Sequence, residues 1–343
     1  MKRFLAAALA LALLGSATGC GNSNNDSSAD NSSFKVYMVT DTGGVNDESF
    51  NKSAWEDGLK VLEKETGAQV GYIESTQASD YGLNLEKAVD MGCNVVLCSG
   101  FALTDASKDA ARKNPDSNFV LIDNAGEDSI SNLTGVVFRA EESAFIVGYI
   151  AGKTTTTNKI GFVGGIDSDV IKQFEYGYRA GADYAAKELG KKISVSVQYA
   201  ESFSDSAKGK AIASKMFSNG CDIVFHSAGG AGVGVIEAAK EAGKFAIGVD
   251  RDQLYLAPKN VLTSALKNVG HAVKLVVTDF MNGEAKGGET RYYGIKDDCV
   301  GIPDNNPNMA PAVHDAAMKI EEKIKNGEIV PPYNESTYKN FKV

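Results

Sequence analysis

Residues 34–60 read FKVYMVTDTGGVNDESFNKSAWEDGLK. An apolar, β-branched run from Val36 to Thr40 stops at Asp41. Gly43-Gly44 and Asn46-Asp47 then lead into a helical pattern that opens with Ser49, Phe50 and Asn51. This is a strand that ends in a polar, glycine-loosened loop, the place where open α/β sheets bind ligands. The loop supplies carboxylates, an amide and an aromatic ring, with no nucleophile set beside a base. It is suited to holding a small polar molecule, not to transforming one.

The same design recurs. MGCNVVLCSGFALTDASKDAARKNPDSNFVLIDN (91–124) aligns with NGCDIVFHSAGGAGVGVIEAAKEAGKFAIGVDRD (219–252): Gly92-Cys93 answers Gly220-Cys221, Ser99 answers Ser227, and Asp123 answers Asp250. Each copy is strand, glycine-bearing turn, helix, strand, acidic residue. That is a βαβ unit with parallel strands and a right-handed crossover. Residues 158–190, NKIGFVGGIDSDVIKQFEYGYRAGADYAAKELG, repeat the opening stretch, with Phe174 in the place of Phe50. A repeat of about 125 residues is far too long for a solenoid and marks two similar domains.

The expected fold is α/β, with two Rossmann-like parallel-sheet lobes joined by a hinge. Lobe one covers 34–152 plus about 267–295, and lobe two covers 153–266 plus about 296–343. Phe50 and Phe174 then approach the cleft from opposite sides, and two such rings can sandwich a flat base at about 1–3 kcal/mol per stack. Taken singly, each phenylalanine would be core packing. Asp123 and Asp250 end the apolar strands FVLID and FAIGVD, where a carboxylate is costly without a partner. Each could instead cap a helix.

Residues 1–20 have the parts of an export signal: Lys2 and Arg3, an apolar run of about a dozen residues, then small residues before Cys20. The run is shorter than the roughly 20 residues that span a bilayer. Thr18-Gly19-Cys20 resembles a lipobox, with Ala17 in the usual leucine position, which implies that Cys20 is lipidated. Residues 21–33 are polar and flexible, as a tether should be. Loss of Lys2 and Arg3 takes the formal charge from −9 to −11, and an acidic surface argues against nucleic acid as a partner. Cys93 and Cys98 bracket a strand and stand about 16 Å apart, too far for a disulfide. All four cysteines beyond the signal read as small buried apolar residues, and no metal site is implied.

The motif Asp41, Gly43, Gly44, Asn46, Asp47, Ser49, Phe50, Asn51 resembles the opening signature of the basic membrane protein (PnrA-like) family, the substrate-binding lipoproteins of nucleoside ABC importers. The two-lobed design is similar to type I periplasmic binding proteins. The resemblance implies an extracytoplasmic, lipid-anchored monomer that captures a nucleoside, purines favoured, and delivers it to an ABC permease without a cofactor. It assigns Asp123 and Asn46 to the base edge and Asp250 to the ribose hydroxyls. Lys267, in the Ser264-to-Lys267 segment, is assigned to a ribose oxygen, and Asp41 and Gly229 complete the site.

Other classes fit less well. A sugar-binding lipoprotein, or one exposed to bind host molecules, shares the anchor, but no aromatic or basic surface patch stands out. A dinucleotide enzyme is suggested by Gly230-x-Gly232, yet Val235 stands where the third glycine belongs. The AGKTTTT segment (151–157) imitates a phosphate loop, but residue 147 is Val147 instead of glycine. His226, His271 and His314 are scattered, and no catalytic set is visible.

Overall fold

The computed structural model describes residues 33–285 and 287–342. The signal, Cys20 and all but the last tether residue lie outside that range.

Alternating apolar strands and amphipathic helices build two six-stranded sheets. The first half supplies β1 (Lys35–Thr40), β2 (Gln69–Ile73), β3 (Val95–Ser99), β4 (Asn118–Ile122) and β5 (Leu133–Phe138). The second half supplies β6 (Lys159–Gly164), β7 (Ser194–Tyr199), β8 (Ile223–Ser227), β9 (Phe245–Asp250) and β10 (Val261–Lys267), followed by β11 (Thr290–Tyr293) and β12 (Val300–Gly301). The sheet orders are β11-β5-β4-β3-β1-β2 and β12-β10-β9-β8-β6-β7. The first sheet is parallel throughout, and the second is parallel except for the short antiparallel β12. β3 and β8 are buried along their whole length, as strands covered by helices on both faces must be. Cys93, Cys98, Cys221 and Cys299 are free and buried.

In both sheets the strand order reverses beside the first strand, between β1 and β3 and between β6 and β8. Crevices at the carboxyl ends of strands form at such reversals.

The chain passes between the sheets at three places, near Arg139, Asn268 and Gly294. Main-chain bonds tie these passages down: Arg139 N–H to Tyr293 O (2.8 Å) and Asn268 N–H to Cys299 O (2.8 Å). The Ile295 N–H donates to the Glu142 carboxylate (2.7 Å). The first passage differs from the expected boundary at 152. The helix Ala140–Thr154 packs along Asp169–Leu189 and against β10 and β12, so it belongs with the second sheet. Gly148 and Gly181 permit this, because a Cβ at either would lie about 2 Å from a facing carbonyl oxygen, Tyr178 O (2.1 Å) or Phe145 O (2.0 Å). Sequence periodicity cannot reveal which sheet a helix apolar on all sides will choose.

The helix Val269–Met281 returns to lobe one and lies on Ser53–Leu59. That segment is a π-helical turn inside the helix that begins at Phe50, a feature that often marks functional sites. Gly58 and Gly270 let the two helices touch, and Gly270 N–H donates to Ser53 Oγ (3.2 Å).

Candidate functional site

The loop after β1 is wired by its own carboxylates. Asp41 Oδ1 accepts from the Gly43 N–H (2.9 Å) and from the Asn51 amide (2.8 Å). Asp47 accepts from the main-chain N–H groups of Ser49 (3.0 Å), Asn51 (2.8 Å) and Lys52 (3.0 Å), satisfying donors that the start of a helix leaves open. Asn51 Oδ1 in turn accepts from Ser99 Oγ at the end of β3 (2.8 Å). The signature is therefore largely a device that fixes the backbone so that Phe50 projects into the cleft.

A cavity lies between the two sheets, with about 470 Å³ of space not filled by atoms, part of it open to solvent. Its walls come from the carboxyl ends of strands in both lobes. Asp41, Phe50, Asp123, Phe174, Gly229, Asp250 and Lys267 all line it. Asn46 does not: it is exposed on the outer side of its loop and lies outside the cavity wall. The amide that the motif brings inward is Asn51, held there by its hydrogen bonds with Asp41, Asp47 and Ser99.

The two strand-end aspartates adopt the same unusual backbone, with φ +65° at Asp123 and +62° at Asp250. Non-glycine residues reach this region at a cost and cluster at functional sites. The matched geometry turns both carboxylates into the cleft from opposite sides. Lys267 stands between them, its Nζ 2.6 Å from Asp123 Oδ2 and 3.9 Å from Asp250 Oδ1. Ser49 Oγ–H donates to Asp250 across the cleft.

Three buried carboxylates face one ammonium. Burial pushes the Asp250 carboxyl up, Lys267 and Ser49 pull it back, and the Asp123 and Asp41 charges push it further up. Burial likewise raises Asp41, against the hydrogen bonds from Asn51 and Gly43. Burial lifts Asp47 to about 7 against its three main-chain donors.

The Lys267 ammonium also lies over three rings: Phe50 at 4.6 Å, Phe138 at 5.4 Å and Phe174 at 5.7 Å from their centroids. The two rings expected to sandwich a base instead share this cation. Phe174 is 1% exposed and packs edge-on against Phe225 (6.2 Å), so it is a rear wall more than a free stacking face. Phe101, after β3, and Phe203, after β7, meet edge-to-face across the lobes at 6.1 Å and both line the cavity. Neither was anticipated. The repeat does not mark Phe203 as aromatic, since Glu201-Ser202-Phe203 after β7 matches Glu74-Ser75-Thr76 after β2 and the ring stands opposite a threonine. Contacts from Ser49, Lys267 and Phe203 to the opposite lobe make this a closed arrangement.

Among the described residues no cluster could hold a metal ion, and no helix is long and apolar enough to cross a membrane.

A family model described as ABC transporter substrate-binding protein PnrA-like matches residues 34–335. The chain is 41% identical over 313 residues to Basic membrane protein A of Borreliella afzelii, covering 90% of this chain and 94% of that one. It is 40% identical over 357 residues to the ABC transporter nucleoside-binding protein BmpA of Lactococcus lactis subsp. cremoris, covering 97% and 99%. An ABC transporter system solute-binding protein from Aeropyrum pernix K1 superposes with a TM-score of 0.81 at 25% identity, covering 90% of this chain and 96% of that one.

Proposed function

The chain belongs to the PnrA-like family of ABC transporter substrate-binding proteins, and on that premise we propose that its cleft captures a nucleoside, purines favoured, for delivery to a membrane permease. As a member of that family it is an extracytoplasmic binding protein and not an enzyme. The observation that carries the nucleoside reading is the pairing of three buried carboxylates and one ammonium with aromatic walls: Asp41, Asp123, Asp250 and Lys267 beside Phe50 and Phe203.

Buried carboxylates accept hydrogen bonds and must be satisfied. A ligand rich in hydroxyl and N–H donors but without negative charge meets that need. In this reading Asp250 takes ribose hydroxyls, Lys267 donates to a ribose oxygen, and Asp123 accepts from the base edge. Gly229, whose φ is +53°, lets the main chain approach the sugar. Phe50 and Phe203 supply the stacking faces, and Phe174 backs them. A phosphate would meet the carboxylates directly, so nucleosides bind in preference to nucleotides. The relative from Lactococcus named as nucleoside-binding supports the same class.

Export, acylation of Cys20 and action as a monomer complete the proposal. Two or more acyl chains at Cys20 would hold the protein stably on the membrane.

Isothermal titration of residues 21–343 against inosine, guanosine, adenosine, cytidine, ribose and adenosine monophosphate tests the reading. Tight binding of at least one nucleoside, with the monophosphate much weaker, supports it. Binding of ribose alone replaces the nucleoside with a sugar. Equal binding of adenosine and its monophosphate removes the charge argument.

A further inference from the structure

Glu48 sits between Asp47 and Ser49 in the ligand loop of lobe one, with its backbone in the left-handed region at φ +57°. A glutamate gains nothing locally from that conformation, so something must hold it there. Two of the groups that do so come from lobe two. Gln253 donates from its amide nitrogen to the Glu48 carbonyl oxygen (2.9 Å), and the Tyr255 hydroxyl donates to the Glu48 carboxylate. Lys52, from the loop's own helix, holds the same carboxylate at 2.8 and 2.9 Å.

Gln253 is fully buried and fixed in orientation. Its Oε1 accepts from the Val249 main-chain N–H (3.0 Å), a group that can only donate. The amide NH2 is thereby forced to face Glu48. His226 Nε2 lies 3.0 Å from the same Oε1, so it must be the protonated nitrogen of that ring. Gly232 packs directly on the ring, where a Cβ would lie 1.9 Å from Nδ1. Gln253 N–H also donates to Ser264 Oγ (3.1 Å). Lobe two thus presents a rigid donor, and lobe one presents the carbonyl of a strained residue beside Asp47, Ser49 and Phe50.

We propose that Gln253 and Tyr255 are positioning residues: they clamp Glu48 only when the lobes are closed, hold the ligand loop in its binding shape, and so set how long the ligand stays. Neither residue lines the cavity, so each acts through the loop and not on the ligand. Opening the lobes breaks both contacts at once and frees the Glu48 backbone to relax, which couples release to loop rearrangement. The clamp also biases the empty protein toward closure. This inference rests on the capture reading for its kinetic arm.

Tyr255→Phe and Gln253→Met in the mature chain, residues 21–343, test it. Tyr255 is 53% exposed, so Tyr255→Phe should fold and lower the melting temperature of the ligand-free protein by no more than a few degrees, the worth of the one bond it loses. It should raise the nucleoside dissociation rate about three- to tenfold, the worth of one hydrogen bond, with the association rate nearly unchanged. Small-angle scattering of the empty variants should show a larger radius of gyration than wild type. Gln253→Met should do the same more strongly, and if it fails to fold, Tyr255→Phe alone decides. An unchanged dissociation rate and unchanged scattering for folded Tyr255→Phe overturn the clamp. Failure of wild-type protein to bind any nucleoside would sink the capture reading instead, and the scattering comparison, which needs no ligand, would still decide the clamp.

Discussion

Lys267 Nζ lies 2.6 Å from Asp123 Oδ2, although the two residues end strands of different sheets. Both side chains are almost wholly buried, with 3% and 7% of their surface exposed. An ion pair in such a place gives back little more than its desolvation costs, but breaking it by removing one partner leaves a buried charge alone. The pair therefore does two jobs. It permits carboxylates in an apolar cleft, and it makes lobe two's lysine the counter-charge of lobe one's aspartate.

Lys267→Met should be among the most damaging single substitutions. It leaves Asp123 and Asp250 buried without a cation, at a cost of about 3–5 kcal/mol, and abolishes ligand binding. Adding Asp123→Asn to Lys267→Met should recover much of the lost stability, and none of the affinity. Thermal melts of the four members of this cycle check it. A cycle in which the two losses simply add would disconnect the pair.

The Asp250 carboxyl is raised above its ordinary value of 3.8, first by burial. Its protonated form is thus favoured by folding. That stability is fully present below about 3.8 and is lost as pH rises through the raised value. Above that raised value the ionised side chain is a cost in the empty protein. Asp250→Asn, which tolerates the left-handed backbone, should melt higher than wild type at pH 7 and bind no nucleoside. The difference in melting temperature should shrink as pH is lowered from 7 toward 4. A difference constant with pH would mean that charge is not its source.

The aromatic residues should separate into two kinds. Phe203→Ala removes a half-buried ring at the mouth of the cavity, and should weaken nucleoside binding by about 1–3 kcal/mol with little change in melting temperature. Phe174→Ala empties a site in the core beside Phe225, and should cost about 3–5 kcal/mol of stability. Calorimetric titration and thermal melts on the same two variants distinguish them. Equal loss of affinity with no loss of stability for Phe174→Ala would return that residue to the role of a free stacking face.

The internal repeat made the two sheets legible, because a βαβ unit written twice leaves few ways to arrange its strands. It also placed Asp123 and Asp250 at strand ends, and the family resemblance added Gly229; all three line the cavity. What was not legible depended on the direction of side chains within an irregular loop. Asn46 and Asn51 stand five residues apart in one motif, and it is the hydrogen bonds of Asn51 with Asp41, Asp47 and Ser99 that hold its amide inward. The position of Lys267 over Phe50 and Phe174 was also hidden, since it arises from closure of one lobe on the other. The helix Ala140–Thr154 was misplaced for a different reason: its apolar surface runs all round, so it carries no stripe that names its partner.

That helix supplies a prediction remote from the cleft. A Cβ on Gly181 would lie 2.0 Å from Phe145 O and 2.8 Å from Tyr149 N, both main-chain atoms that cannot move without parting the helices. Gly181→Ala should therefore destabilise the protein by about 1–3 kcal/mol, even though alanine is the better helix former in isolation. For a domain of this size that is a drop of several degrees in melting temperature, at about 2–4 °C per kcal/mol. Nucleoside affinity should change little, because none of Gly181, Phe145 and Tyr149 lines the cavity. Were Gly181→Ala to raise the melting temperature, the close packing of Ala140–Thr154 on Asp169–Leu189, and with it the placement of that helix in lobe two, would be wrong.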